Sequence, residues 1–199
     1  MKSDEIIKDL QTVRKEKSYN DWKLFMLKYY CDIICEVGVC RGENFREMIK
    51  HNPKLAVAID SWIKDGNIYR NDGGYSQEVL DQQYEDFAES VSDKPFVKIY
   101  REYSFDAVKH FKDNYFDLVY IDADHSYEGC LKDIKDWYPK VKKGKFLLGD
   151  DYRESYYIPH NGRRPGIKYG VIEAVNTFVT ENNLEFFLLP RYGWGIIKK

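Results

Sequence analysis

Apolar residues in this chain follow two rhythms. Short continuous runs, Ile33 to Val37, Leu55 to Ile59, Phe96 to Tyr100, Phe116 to Ile121 and Phe146 to Leu148, are bounded by acids, glycines or turn residues and predict buried strands. Between them, apolar positions recur every three or four residues, which predicts helices over Asn44 to His51, Gln77 to Val91, Phe105 to Phe111, Tyr127 to Val141 and Ile172 to Phe178. Residues 1–30 carry the same helical spacing through Ile6, Leu10 and Val13, then Trp22, Phe25, Met26 and Tyr29, and read as an N-terminal helical extension on the outside of the sheet. Leu184 to Leu189 and Trp194 to Ile197, joined by a Pro-Arg-Tyr-Gly turn, predict an antiparallel pair at a sheet edge. Ser61 to Ser76 and the stretch from Arg153 to Gly170 show neither period and read as long loops.

Strand alternating with helix implies a mostly parallel sheet with right-handed crossovers and helices on both faces. Parallel strands end on one edge, where open α/β sheets bind ligands. The run Phe116 to Ile121 stops at Asp122, and the run Phe146 to Leu148 passes Gly149 and stops at Asp150 and Asp151. If these strands are neighbours, three carboxylates crowd at one edge, where they repel unless a cation sits among them. Oxygen ligands suit a hard divalent ion such as Mg2+, Mn2+ or Ca2+. The plainer alternative is that Asp150 and Asp151 only end a strand and cap the next turn.

Nearer the N-terminus, Glu36, Gly38 and Gly42 lie in a turn between a strand and a helix, where glycine lets the chain tighten and a ligand approach the backbone. The next strand ends in Asp60, the place at which nucleoside-binding α/β folds set an acid against ribose hydroxyls.

Composition narrows the class. The chain has 199 residues, enough for a single domain with a proper core, and 43% of them are hydrophobic. Lys and Arg number 31 against 33 acids, a near-balance that argues against a general nucleic-acid or membrane-surface binder. The charged N-terminus has no signal-peptide core and no apolar stretch is long enough to span a bilayer, so a cytoplasmic address is expected. Cys31, Cys35, Cys40 and Cys130 form no CxxC pair and read as buried thiols rather than a disulfide or zinc site.

Taken together, this order of elements resembles the class I S-adenosylmethionine (SAM)-dependent methyltransferases, whose Rossmann-like seven-stranded sheet closes with a C-terminal antiparallel hairpin. The segment IDADHSYEGCLKDIKDWYPKVKKGKFLLGDDY is similar to the macrocin O-methyltransferase type, a metal-dependent group acting on sugar hydroxyls. The resemblance implies Asp122, Asp150 and Asp151 as ligands of a divalent cation, Mg2+ first among them. It also implies that Glu36, Gly38 and Gly42 line the methionine portion of SAM, that Asp60 and Ser61 hold the ribose side, that Ser104 lies near the adenine, and that Asp122 adjoins the cofactor. One departure is Cys40, where the family has a small residue and where a thiol narrows the turn.

The expected reaction is methyl transfer to a hydroxyl of a sugar or small molecule, with Asp122 in the catalytic centre. His125, one turn past Asp122, is the candidate base because imidazole titrates near neutral pH; its alternatives are helix capping or support of a neighbouring ligand. His160 is the reserve. Tyr152, Tyr156, Tyr157, Arg163 and Arg164 could stack on a sugar and pair with a phosphate, or simply face solvent. Two rivals share parts of the pattern: a nicotinamide-dependent oxidoreductase, which also needs a glycine turn and an acid, and a non-catalytic SAM-fold binding module. The aromatic N-terminal segment could support a homodimer.

Overall fold

A computed structural model describes residues 3–13, 22–66, 75–154, 156–157 and 167–199. The strands are β1 (Ile33–Val37), β2 (Leu55–Asp60), β3 (Val97–Arg101), β4 (Phe116–Ile121), β5 (Val141–Gly149), the short β6 (Tyr156–Tyr157) and β7 (Ile167–Lys168), β8 (Phe186–Leu189) and β9 (Gly193–Ile197). The helices are α1 (Ser3–Val13), α2 (Trp22–Lys28), α3 (Glu43–Met48), α4 (Gln77–Ser90), α5 (Ser104–Ala107), α6 (Tyr127–Trp137) and α7 (Val171–Glu181).

Seven strands form one sheet in the order β3-β2-β1-β4-β5-β9-β8. The first five are mutually parallel, and β9 runs antiparallel to both β5 and β8. This is the expected α/β architecture, and its antiparallel C-terminal pair departs from the all-parallel dinucleotide-binding order.

The apolar run of β4 shows how one segment serves two layers. Leu118 and Tyr120 join the core beneath α1 to α4, together with Trp22, Phe25, Phe45 and Phe87. Val119 and Ile121 join the core beneath α5 to α7, with Ile134, Trp137, Val175 and Phe178. The N-terminal extension is part of the first layer: Phe25 packs edge-on to Phe146 with ring centroids 5.1 Å apart, and Trp22 meets Tyr120 in the same way at 5.9 Å. Each such buried side chain contributes about 1.5–3 kcal/mol. All four cysteines are unpaired, and three of them are buried.

Three elements differ from expectation. The helix α6 stops at Trp137 and tightens into a 3-10 turn over Tyr138–Lys140, because Pro139 has no N–H to extend the helical ladder. Strand β5 starts at Val141, well before Phe146; residues 142–145 are polar because they bulge out of the ladder between Val141, opposite Phe116, and Phe146, opposite Leu118, and there Lys142 pairs with the buried Asp117 at 2.9 Å. The stretch after Asp151 was expected to hold no strand, yet β6 and β7 pair antiparallel within it, Tyr156 opposite Lys168. No helix among the described residues is long and apolar enough to cross a membrane.

Candidate functional site

The parallel ladder continues past the strand ends and draws the candidate residues to one rim. Gly38 N–H donates to the Ile59 carbonyl at 2.8 Å, Asp122 N–H to Val37 at 2.8 Å and Asp150 N–H to Ile121 at 3.2 Å. The turns after β1, β2, β4 and β5 are thereby stitched together.

The turn after β1 is built from left-handed residues: Gly38 at φ +89°, Cys40 at +52° and Gly42 at +77°. The two glycines do different work. A Cβ at Gly38 would collide with the Asp122 carbonyl oxygen, so β1 and β4 approach there only without a side chain. A Cβ at Gly42 would strike the Phe87 ring, so this glycine seats α3 on α4. The Asp60 carboxylate holds the turn from the next strand, accepting from Cys40 N–H at 2.8 Å and from Trp62 N–H at 3.0 Å. Trp62 Nε1 in turn donates to the Cys40 carbonyl at 2.9 Å.

These turns wall a cleft that opens to solvent at its mouth. Gly38, Asp60, Ser61, Ser104 and Asp122 line it; Glu36 and Gly42 lie behind the lining. Ser104 is held from two sides, its hydroxyl donating to Asp133 and accepting from Trp137 Nε1. Tyr103 and Phe105, stacked within 8° of parallel, flank it on the cleft wall.

Glu36 is 1% exposed. One carboxylate oxygen accepts from Asn44 Nδ2 at 2.9 Å, and Oε2 has no partner among the described residues. Burial pushes its pKa well up, the Asn44 bond works against this, and the charges of Asp122, Asp60 and Asp150 add to the rise. A cationic ligand, such as one carrying an ammonium or sulfonium group, would offset that accumulation of negative charge. The residue therefore costs the unliganded fold stability. Because the folded-state pKa is raised, this glutamate's favourable contribution is complete below its unfolded value of about 4.3 and drains away as pH rises toward the folded value. Glu36→Gln is expected to stabilise the unliganded protein at pH 7 by about 1–2 kcal/mol, a gain that vanishes near pH 4. Melting curves across that pH range check it, and a loss of stability at pH 7 would contradict it.

A second group adjoins the cleft. Ligand atoms of Asp122, His125 and Asp151 all lie within 4.8 Å of one another. His125 Nε2 stands 3.1 Å from Asp122 Oδ1 and 3.4 Å from Asp151 Oδ2, and its ring stacks on Tyr169 with centroids 4.6 Å apart. Burial works to lower the His125 pKa, but the Asp122 bond and the charges of Asp122, Asp151 and Asp124 outweigh it and hold the pKa above the ordinary imidazole value. Asp122 is pushed up, first by loss of water and then by Asp150 and Asp151, against the opposing pull of His125.

The grouping is not the three-carboxylate set expected from the strand ends. Asp122 and Asp151 belong to it, and His125 supplies the third atom. Asp150 turns back, Oδ1 accepting from Asp151 N–H at 2.8 Å and Oδ2 from the Tyr120 hydroxyl at 3.3 Å. Asp151 holds a left-handed backbone, φ +58°, which directs its side chain toward His125 while Arg153 pairs with its other oxygen at 2.9 Å. Two carboxylates and an imidazole suit Mn2+ or Fe2+ as readily as Mg2+.

Sequence reading passed over several residues of the cleft wall, Gln83, Asp124 and Asp133 among them. Gln83 and Asp133 sit on the apolar stripes of α4 and α6, beside Leu80 and Phe87 and beside Cys130 and Ile134. A polar residue on a buried helical stripe is the signal that finds them. Asp124 also lines the cleft and accepts from Ser126 N–H at 2.9 Å, opening α6. His160, Arg163 and Arg164 lie outside the described residues, as do the side chains of Tyr156 and Tyr157.

Comparison with known proteins follows this geometry. A family model described as a methyltransferase domain matches residues 35–152. A 68-residue stretch is 31% identical to an uncharacterized protein of Acanthamoeba polyphaga mimivirus, covering 34% of this chain and 26% of that one, so the chain matches about a quarter of that relative's length. Among solved structures, the O-methyltransferase NovP is similar with a TM-score of 0.61 and 16% identity, over 97% of this chain and 80% of that one. Fibrillarin from Aeropyrum pernix, solved with natively bound SAM, gives 0.55 and 12% identity, over 94% and 71%. Spermidine synthase from Thermotoga maritima gives 0.54 and 14%, over 96% and 58%. Identities this low establish a shared fold, and the fold hosts more than one chemistry.

Proposed function

The chain belongs to the methyltransferase-domain family, and from that premise we propose that it is a SAM-dependent O-methyltransferase, assisted by a divalent cation and acting on a hydroxyl of a sugar or other small molecule. The observation that carries this reading is the double position of Asp122, which lines the cleft and also belongs to the cluster with His125 and Asp151. A methyl donor in the cleft and an acceptor oxygen at the cluster would then lie side by side.

Bound SAM would supply a sulfonium methyl group, to whose carbon the acceptor oxygen bonds in line as the C–S bond breaks and S-adenosylhomocysteine leaves. Asp60 accepts from the ribose hydroxyls, the Gly38 turn lets the backbone approach, and Ser104 with Tyr103 and Phe105 bounds the base end. Glu36 provides negative charge behind the methionine portion. A divalent cation held by Asp122 and Asp151 would acidify the acceptor hydroxyl and, by engaging those carboxylates, weaken the pull that raises the His125 pKa. His125 Nε2, once neutral, takes the acceptor's proton, with Tyr169 stacked on the ring to keep it oriented. Alignment of donor and acceptor is worth on the order of 7 kcal/mol in favourable cases.

The test is to incubate the protein with SAM, Mn2+ or Mg2+ and a panel of sugars, nucleotide-linked sugars and phenols, and to measure release of S-adenosylhomocysteine. Turnover that EDTA abolishes and added metal restores is expected. Calorimetry that finds NAD bound and S-adenosylhomocysteine ignored would overturn the reading in favour of hydride chemistry; turnover that is indifferent to EDTA would remove the cation from it.

A further inference from the structure

Gln83 lies on α4 with 8% of its surface exposed and contributes to the cleft wall. Its carboxamide oxygen accepts the Cys40 thiol proton across 3.9 Å, and its Nε2 is buried with no hydrogen-bond partner among the described residues. A buried amide donor left unpaired is costly, and native proteins keep few of them. Cys40 links this amide to the acid of the cleft, since its backbone N–H is the one that binds Asp60.

We propose that Gln83 is a nucleoside-specificity residue, donating through Nε2 to a ribose hydroxyl oxygen of the ligand whose hydroxyl protons Asp60 accepts. The inference rests on the SAM reading of the cleft. A buried ribose hydroxyl must both donate and accept, and a carboxylate can satisfy only the first half. Three donors beside Asp60 are already committed: the Cys40 and Trp62 N–H groups to Asp60 itself, and Trp62 Nε1 to the Cys40 carbonyl. Among the described residues, Gln83 Nε2 is a buried side-chain donor of the cleft wall that has no partner. Cys40 gains a role here as well, because its thiol donates to the carboxamide oxygen and leaves the nitrogen as the open donor.

Two measurements on Gln83→Met, which keeps the volume and removes the donor, test the assignment. Affinity for S-adenosylhomocysteine is expected to fall about tenfold, and the loss should shrink to about twofold or less for whichever of the 2′-deoxy and 3′-deoxy analogues lacks the paired hydroxyl. The melting temperature of the unliganded variant should equal or exceed that of the parent, because an unpaired buried donor has been removed. Undiminished affinity, an equal loss for the parent ligand and both deoxy analogues, or a melting temperature lowered by several degrees would each overturn it. Gln83→Leu serves as a second apolar variant should the methionine protein fold poorly. Failure of the parent protein itself to bind S-adenosylhomocysteine would overturn the SAM reading, and this inference with it, and is read directly from the parent titration.

Discussion

Asp151→Asn is expected to weaken Mn2+ binding by on the order of 100-fold while leaving affinity for S-adenosylhomocysteine within about threefold. Asp151 is the carboxylate of the cation cluster that does not also line the cleft, so it separates the two sites as Asp122 cannot. Its loss leaves Asp122 as the single carboxylate for the cation and frees the Arg153 guanidinium that now pairs with it. Asparagine is preferred to alanine because the residue sits at φ +58°, a conformation asparagine tolerates and alanine resists at a cost of roughly 1 kcal/mol. Asp151→Ala should show the same loss of metal with some loss of stability. Electron paramagnetic resonance of bound Mn2+ and calorimetry of the nucleoside ligand make the pair of measurements. Equal Mn2+ affinity in parent and variant would sink the proposed cation site, and a parallel collapse of nucleoside affinity would mean that the two sites are not separable.

Gly38→Ala should be severely damaging, lowering stability by roughly 3 kcal/mol or more. Two costs add at that position. The backbone is at φ +89°, which L side chains rarely adopt, and the new Cβ would land on the Asp122 carbonyl and within 2.6 Å of the Ala123 Cα. Both obstacles are backbone just past the end of β4, so no side-chain rotation relieves them. The chain can respond only by parting the two strand ends, which moves Asp122 away from both the cleft and the cluster. Denaturant unfolding should show the loss of stability, and any folded fraction should have lost nucleoside binding. A variant as stable as the parent would show that the strand ends are more pliant than their packing implies.

The strands were legible in the sequence because an apolar run buried on both faces is a signal that neighbouring chain does not disguise. Phe116 to Ile121 is found where it was expected, down to the acid that ends it. The first half of β5 was not legible, since Lys142 to Lys145 bulge out of the ladder and carry no burial pattern. Asp60, Ser61 and Asp122 could be placed on the cleft because strand ends have a fixed address in a parallel sheet. Gln83 and Asp133 could not, because the distance of a helical residue from that edge depends on how the helix lies across the sheet.

The amino-acid sequence by itself determined the alternation of strands and helices, the antiparallel ending and the convergence of acids on one rim, since hydrophobic period and parallel pairing are properties of the local chain. Only the tertiary structure decided which of those acids face each other. Asp150 was claimed by the Tyr120 hydroxyl and a backbone N–H, Asp151 was swung by a left-handed backbone toward His125, and Glu36 was withdrawn behind the turn. Side-chain direction is settled by competition among nearby hydrogen-bond partners, and those partners come from elements distant in the chain.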